Sequence, residues 1–213
     1  MATYVLIHGA GDTAWYWHLV DTELRARGHD VVAVDLPCDD ESAGLAEYTD
    51  TVVSAIGDHR ELVVVAQSFG GYTAPLVCAR LPVKLLVFVA GMIPAPGESA
   101  EKMFANTGYE QEPQDDSSDL AIFYHDVPPA LAAAAMSHGR TQANKPWGEP
   151  WPLAAFPKVT TQYVLCRDDR IFPAKWARRV VRDRLGIDPH EMESGHCPAL
   201  SRPRALADLL HSW

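Results

Sequence analysis

A serine, a histidine and an acid, each just past a stretch that reads as a strand, are the residues of this chain best placed to do chemistry. The serine is Ser68. It follows Leu62 to Ala66, a short apolar run rich in Val, and lies in Gln67-Ser68-Phe69-Gly70-Gly71, ahead of a helical stretch from about Tyr72 to Arg80. A buried parallel strand that turns sharply into a helix holds the turn residue under backbone strain and lifts its side chain clear of the sheet. Only small residues fit two positions before and two after such a turn, and Ala66 and Gly70 are small. Gly71 lets the helix start lie near the strand. The N–H of Phe69, at the helix N-terminus, points at negative charge developing on a bound carbonyl.

A serine hydroxyl is a weak nucleophile until a base takes its proton. Of the nine histidines, His196 has the best address: it follows a strand, sits after Gly195 and precedes the closing helix. His211 falls on that helix and His190 within a strand, while His8, before Gly9-Ala10, fits a structural role in shaping the first loop. An imidazole base needs a carboxylate to hold its tautomer and stabilise its cation. Asp168 and Asp169 are adjacent candidates that point in different directions, so one of them reaches His196. After the strand ending at Ala90 there is only Gly91-Met92-Ile93, with no acid. The loop His8-Gly9-Ala10-Gly11 supplies a second oxyanion donor, with Ala10 placed for it. One such donor is worth about 3 kcal/mol in the transition state. Taken singly, an idle serine on a glycine-rich turn or a plain glycine turn would explain each piece; the order Ser, Asp, His together with the His-Gly loop is far more specific.

The elements that must position these residues follow a strand–helix rhythm. Thr3 to His8 reads as the first strand. A helix runs through Trp15, Trp17, Leu19, Val20 and Leu24 to Arg27, capped by Asp12 or Thr13 and stopped by Gly28. Asp30 to Leu36 is a second strand and Gly44 to Ile56 a helix. Val83 to Ala90, Thr160 to Cys166 and Pro189 to Glu193 complete the strands, with helices over Pro173 to Leu185 and Pro203 to Trp213. Such alternation predicts a mostly parallel sheet of about six strands with helices on both faces, its site at the C-terminal strand ends. The whole chain, 1–213, reads as one domain. Between about 92 and 157 Pro, acidic and small residues dominate and no strand is evident, which predicts a short helical cap inserted between strands. Within it Glu110 to Asp119 is expected to be a mobile loop and Ala130 to Met136 a short helix after Pro128-Pro129. The cap's aromatics, Phe104, Phe123, Tyr124, Trp147, Trp151 and Phe156, are expected either to line a fairly small apolar pocket or to pin the cap to the core.

The chain has 213 residues, 47% hydrophobic and 22% charged, with a net charge of −10. That charge makes nucleic acid and anionic membranes poor partners. Met1-Ala2-Thr3-Tyr4 enters a strand at once, so no signal peptide is expected, and no apolar stretch reaches the length of a bilayer span. Cys38, Cys78, Cys166 and Cys197 are scattered and read as free thiols of a reducing, cytoplasmic compartment. Neither they nor the histidines show metal-ligand spacing, so no metal dependence is expected.

These motifs resemble the α/β-hydrolase superfamily over essentially the whole chain. Tyr4-Val5-Leu6-Ile7-His8-Gly9-Ala10 followed by Trp15-Tyr16-Trp17, and Asp169-Arg170-Ile171-Phe172-Pro173, resemble the branch holding plant methylesterases and hydroxynitrile lyases. The resemblance implies Ser68 as nucleophile, Asp169 as the acid, His196 as the base, the backbones of Ala10 and Phe69 as oxyanion hole, and a cofactor-free mechanism in two acyl-transfer steps. It departs from larger members in lacking their first hairpin and in its short cap. The expectation is a cytoplasmic serine carboxylesterase, monomer or homodimer, acting on a small-molecule ester. A cyanohydrin-cleaving lyase is a rival, as is a ligand-binding receptor on the same fold. The lyase branch places a Lys directly after the catalytic His, where this chain has Cys197, and a Thr two residues after the position of Ala10, where it has Asp12.

Overall fold

The computed structural model describes residues 1–110 and 116–213. Six parallel strands form one sheet in the order β2-β1-β3-β4-β5-β6, with β1 at Thr3–Ile7, β2 at Asp30–Val34, β3 at Leu62–Gln67, β4 at Val83–Val89, β5 at Thr161–Cys166 and β6 at His190–Met192. Helices α1 (His18–Ala26), α2 (Leu45–Ile56), α3 (Ala74–Arg80), α8 (Ala174–Leu185) and α10 (Pro203–His211) are the crossovers and the closing helix. Because both faces are covered, the central strands are apolar over most of their length, with Thr3, Gln67 and Lys84 the polar positions near their ends, and alternate residues go to opposite cores. Val5, Ile7, Val64, Ala66, Leu86 and Phe88 pack with α2, α3 and α8. Tyr4, Leu6, Val63, Val65, Val87 and Val89 pack with α1 and α10.

The register aligns the C-terminal strand ends. Ile7 is opposite Ala66, Gln67 opposite Val89, and Cys166 opposite Met192. His8 and Ser68, and the loops carrying Asp169 and His196, therefore leave the sheet along one edge.

The boundaries depart from the sequence reading at informative places. The first helix opens with a 3-10 turn over Ala14–Trp17, and neither expected cap closes it conventionally: the Thr13 side chain makes no cap bond, and Asp12 Oδ1 accepts the N–H of Thr13 instead, at 2.8 Å. The strand after it ends at Val34 rather than Leu36, and α10 ends at His211. The helix after β3 begins as a 3-10 turn over Ser68–Tyr72.

The stretch from 92 to 157 contains no strand among its described residues, but it holds four helices rather than one: α4 (Ala100–Asn106), α5 (Asp119–Phe123), α6 (Pro129–His138) and α7 (Lys145–Gly148). The Ser99 and Ser118 side chains accept the N–H groups of Lys102 and Ala121 and so start α4 and α5. Of the acidic loop expected at Glu110 to Asp119, residues 111–115 lie outside the described part. The short α9 (Pro198–Ser201) separates the last strand from α10. Among the described residues no helix is long and apolar enough to cross a membrane.

Candidate active site

Ser68 sits at φ +49°, a left-handed conformation that costs a non-glycine residue about 1–3 kcal/mol. Its surroundings enforce the turn. The Ser68 carbonyl accepts the N–H of Met92 at 2.9 Å, tying the turn to the chain leaving β4. A Cβ at Gly70 would lie 2.6 Å from the His8 carbonyl oxygen, and one at Gly71 would lie 2.0 Å from that of Met92. The close approach that demands small residues is thus to the ends of β1 and β4, the neighbours of β3, rather than to β3 itself. Phe69 is buried, and its ring stacks on Trp147 with centroids 4.4 Å apart. As second residue of the 3-10 turn, Phe69 has no partner for its N–H inside that turn.

His196 and Asp169 meet in the interior. Nδ1 of His196 lies 2.8 Å from Asp169 Oδ2, with the side chains 3% and 1% exposed. The other carboxylate oxygen accepts the N–H groups of Ile171 (2.7 Å) and Phe172 (3.0 Å), which fixes its orientation. The rings of Phe172 and Phe123 stand edge-on to the imidazole at 5.2 and 5.6 Å. Asp168 is exposed; its N–H donates to the Ser194 carbonyl and its carbonyl accepts from His125 Nε2. Of the two adjacent acids, it is Asp169 whose carboxylate reaches His196.

Ser68, His196 and Ala10 line one cavity of about 440 Å³ at the strand ends, together with Gln67, Asp12 and Cys197. Among the described residues no hydrogen bond joins the Ser68 hydroxyl to the His196 ring, though both line that cavity. Ala10 is exposed to it. The segment above contributes Phe123, Tyr124, Asp119, Arg140 and Gln142.

His8 plays a supporting part. Its Nε2 accepts the Leu36 N–H at 3.0 Å, and Nδ1 lies 2.7 Å from the Gly9 carbonyl. Burial lowers its pKa to about 4, so it is neutral, with the Nδ1 proton donated to Gly9. It braces the first loop against the chain leaving β2.

Several residues that the sequence did not mark also hold this site. The Gln67 amide donates to the His196 carbonyl at 3.3 Å, and its Oε1 occupies the space a side chain at Gly9 would need. Arg140 grips the loop after β1: its N–H donates to Gly11 O (2.6 Å) and its Nη2 to Asp12 O (3.1 Å) and Leu36 O (2.8 Å). Gln142 Oε1 accepts the Gly11 N–H at 3.1 Å. Gln67 could have been suspected from its place beside Ser68; Arg140 and Gln142 carry no local signal.

Asp12 borders the cavity, and burial pushes its carboxyl up to about 6, against the pull of Arg140 and the Thr13 N–H. Burial also raises the Cys197 thiol well above its ordinary value, so this neighbour of His196 is uncharged at neutral pH. Among the described residues no group of three or more His, Cys, Asp or Glu side chains could hold a metal ion.

Comparison with known proteins agrees with this architecture. The chain is 27% identical to Methylesterase 7 of Arabidopsis thaliana, over 97% of its own length and 94% of that protein. It is 23% identical to Norfluorocurarine synthase 1 of a Strychnos species, over 97% and 93%. The crystal structure of polyneuridine aldehyde esterase superposes with a TM-score of 0.85 at 21% identity, covering 100% of this chain and 98% of that one, a shared fold. The profile of the alpha/beta hydrolase family matches residues 4–209, nearly end to end, and the chain belongs to that family.

Proposed function

We propose that the chain hydrolyses a small carboxylic ester through an acyl-enzyme, as a single domain whose segment 92–157 caps the site. Ser68 is the nucleophile, His196 the base, Asp169 the carboxylate that orients it, and the N–H groups of Ala10 and Phe69 the oxyanion hole. The observation that carries the reading is a buried 2.8 Å hydrogen bond between Asp169 and His196, beside the cavity onto which a serine held at φ +49° opens. Similarity to proteins named methylesterase and esterase supports ester hydrolysis as the reaction.

With its Nδ1 proton donated to Asp169, His196 presents the Nε2 lone pair. Nε2 takes the proton of Ser68 as Oγ attacks the ester carbonyl carbon. The carbonyl oxygen becomes an oxyanion, stabilised by the two backbone N–H groups. The imidazolium then returns its proton to the departing alkoxide as the C–O bond breaks, leaving an acyl-Ser68 and an alcohol. Water repeats the sequence: Nε2 takes its proton, hydroxide adds to the acyl carbon, and Ser68 leaves with the proton restored. No step calls for a cofactor.

A cavity of about 440 Å³ with Asp12, Asp119, Arg140 and Gln142 on its wall suits a short ester with polar substituents better than a long-chain triglyceride. Four free cysteines are in keeping with a cytoplasmic place for the protein, as monomer or homodimer.

The test is a panel of p-nitrophenyl and methyl esters of increasing acyl length, run on the wild type and on Ser68→Ala. Short acyl chains should be preferred, and Ser68→Ala should lose on the order of 10⁴- to 10⁶-fold in turnover. A fluorophosphonate probe should label the wild type stoichiometrically and leave Ser68→Ala unlabelled. Substantial residual turnover in Ser68→Ala would refute the nucleophile, and strong activation at an oil–water interface would refute the substrate class. Slow single turnover with tight product retention would point instead to a receptor.

A further inference from the structure

We propose that His125 and Asp126, between α5 and α6, form a clasp that positions the catalytic histidine and its carboxylate partner, making the cap part of the mounting of the acid–base pair. The proposal rests on the roles given above to His196 and Asp169. Asp126 Oδ2 accepts the N–H of Gly195 at 2.9 Å and the Ser194 hydroxyl at 3.5 Å. His125 Nε2 donates to the carbonyl of Asp168 at 3.0 Å. The two loops thus held are also joined to each other, since the Asp168 N–H donates to the Ser194 carbonyl at 3.0 Å. Two adjacent cap residues therefore grip the residue before His196 and the residue before Asp169.

Gly195 shows how tight the grip is. Its φ lies outside the left-handed region, so its backbone would accept alanine. A Cβ there would nevertheless lie 2.6 Å from Asp126 Oδ1 and 2.7 Å from His125 Nε2. The clasp, not the backbone, requires glycine at that position. Asp126 Oδ1 is buried with no hydrogen-bond partner, an arrangement costly for a contact that only fastened a lid. It is the consequence of pressing the carboxylate against the glycine so that its other oxygen holds the N–H in a charge-assisted bond. Ser194, itself buried, adds a further tie through its hydroxyl to that of Ser201 on α9, at 3.0 Å.

Loss of the clasp should loosen the imidazole without changing the cavity wall, because neither His125 nor Asp126 lines the cavity. A misplacement of about 1 Å at a reacting group costs on the order of 10²-fold in rate. Asp126→Ala is therefore expected to lower kcat by about 10- to 100-fold with KM within about threefold of wild type, and to slow fluorophosphonate labelling of Ser68 in proportion. Asp126→Asn keeps an acceptor for Gly195 and should recover most of kcat. Should Asp126→Ala fail to fold, His125→Ala carries the test, with a smaller fall in kcat at unchanged KM. Wild-type kcat in both alanine variants would overturn the clasp, as would a rise in KM that accounts for the whole loss, or an Asp126→Asn as slow as Asp126→Ala. Failure of the clasp alone would leave Ser68→Ala inactive; an active Ser68→Ala would instead remove the catalytic reading on which it rests.

Discussion

Replacing Asp169 with Asn separates orientation of the imidazole from every other property of the site, because the geometry dictates which way the amide turns. One end of the Asp169 carboxylate accepts two backbone N–H groups, from Ile171 at 2.7 Å and Phe172 at 3.0 Å. An amide NH₂ placed there would face two donors, so the amide oxygen takes that end. The NH₂ then faces His196 Nδ1, now 2.8 Å from an acceptor. Two donors cannot share that gap, and the imidazole must move its proton to Nε2. In that tautomer the nitrogen nearest the cavity carries a proton and cannot accept one from Ser68. The fold is spared, since shape and both backbone bonds survive, but the reactive tautomer is lost. Disfavouring it, and losing the carboxylate that stabilises the imidazolium, should cost roughly 10³- to 10⁴-fold in kcat, or about 4–5 kcal/mol at 1.36 kcal/mol per decade. Asp168→Asn, at an exposed side chain, should stay within about threefold of wild type. The assay is steady-state hydrolysis of p-nitrophenyl acetate with melting temperatures recorded in parallel. Loss of less than tenfold in Asp169→Asn at unchanged stability, or an equal loss in Asp168→Asn, would refute the argument.

Two further outcomes follow from charge. Asp12 titrates near 6 in the folded protein against about 4 in an unfolded chain, so folding holds its proton more tightly and stability falls as pH rises from about 4 to above 6. That two-unit difference is worth up to about 3 kcal/mol, and Asp12→Asn should therefore gain stability over wild type at pH 8 but not at pH 4, read by thermal melts at both; an equal gain at both would show that the carboxyl is not held up by burial. Cyanide release from a cyanohydrin needs a cation beside the base, whereas the neighbour of His196 is the uncharged thiol of Cys197, so mandelonitrile should be cleaved no faster by wild type than by Ser68→Ala; efficient cleavage lost in Ser68→Ala would make the chain a lyase.

What could be read from the sequence was local. Apolar runs such as Leu62 to Ala66 mark strands buried on both faces, and residues just past such runs must share one edge of a parallel sheet. That logic reaches Ser68, His196 and the Asp168-Asp169 pair without knowledge of any contact. It fails where an element is too short to show a period. Helices α4, α5 and α7 span only a turn or two, and the serines that start α4 and α5 sit in stretches whose composition reads as loop. It fails again where crowding comes from another strand. The turn predicts a small residue at Gly70, but the obstacle there is the end of β1, which only the strand order β2-β1-β3-β4 reveals.

The cavity wall shows a third kind of gap. Of the six aromatics expected either to line the pocket or to pin the segment to the core, Phe123 and Tyr124 line the cavity, while Phe104, Trp147, Trp151 and Phe156 pack against the core. Aromatic side chains supply the apolar area needed to seat short helices that could not hold themselves, and most of them are consumed in that task. The rest of the wall mixes polar side chains with Ala10, Met136 and Cys197. Arg140 and Gln142 reach the loop after β1 from 128 and 131 residues away in sequence: Arg140 Nη2 donates to Asp12 O and Leu36 O, and Gln142 Oε1 accepts the Gly11 N–H. Those carbonyls and that N–H lie beyond the ends of β1 and β2 and have no strand partner there; Cys38 also donates to Leu36 O and Asp12 O, and Arg140 and Gln142 supply further partners. With the Ala10 N–H in the proposed oxyanion hole, a change at Arg140 or Gln142, which line the cavity and also hold the loop carrying Ala10, is expected to alter substrate preference and oxyanion geometry together.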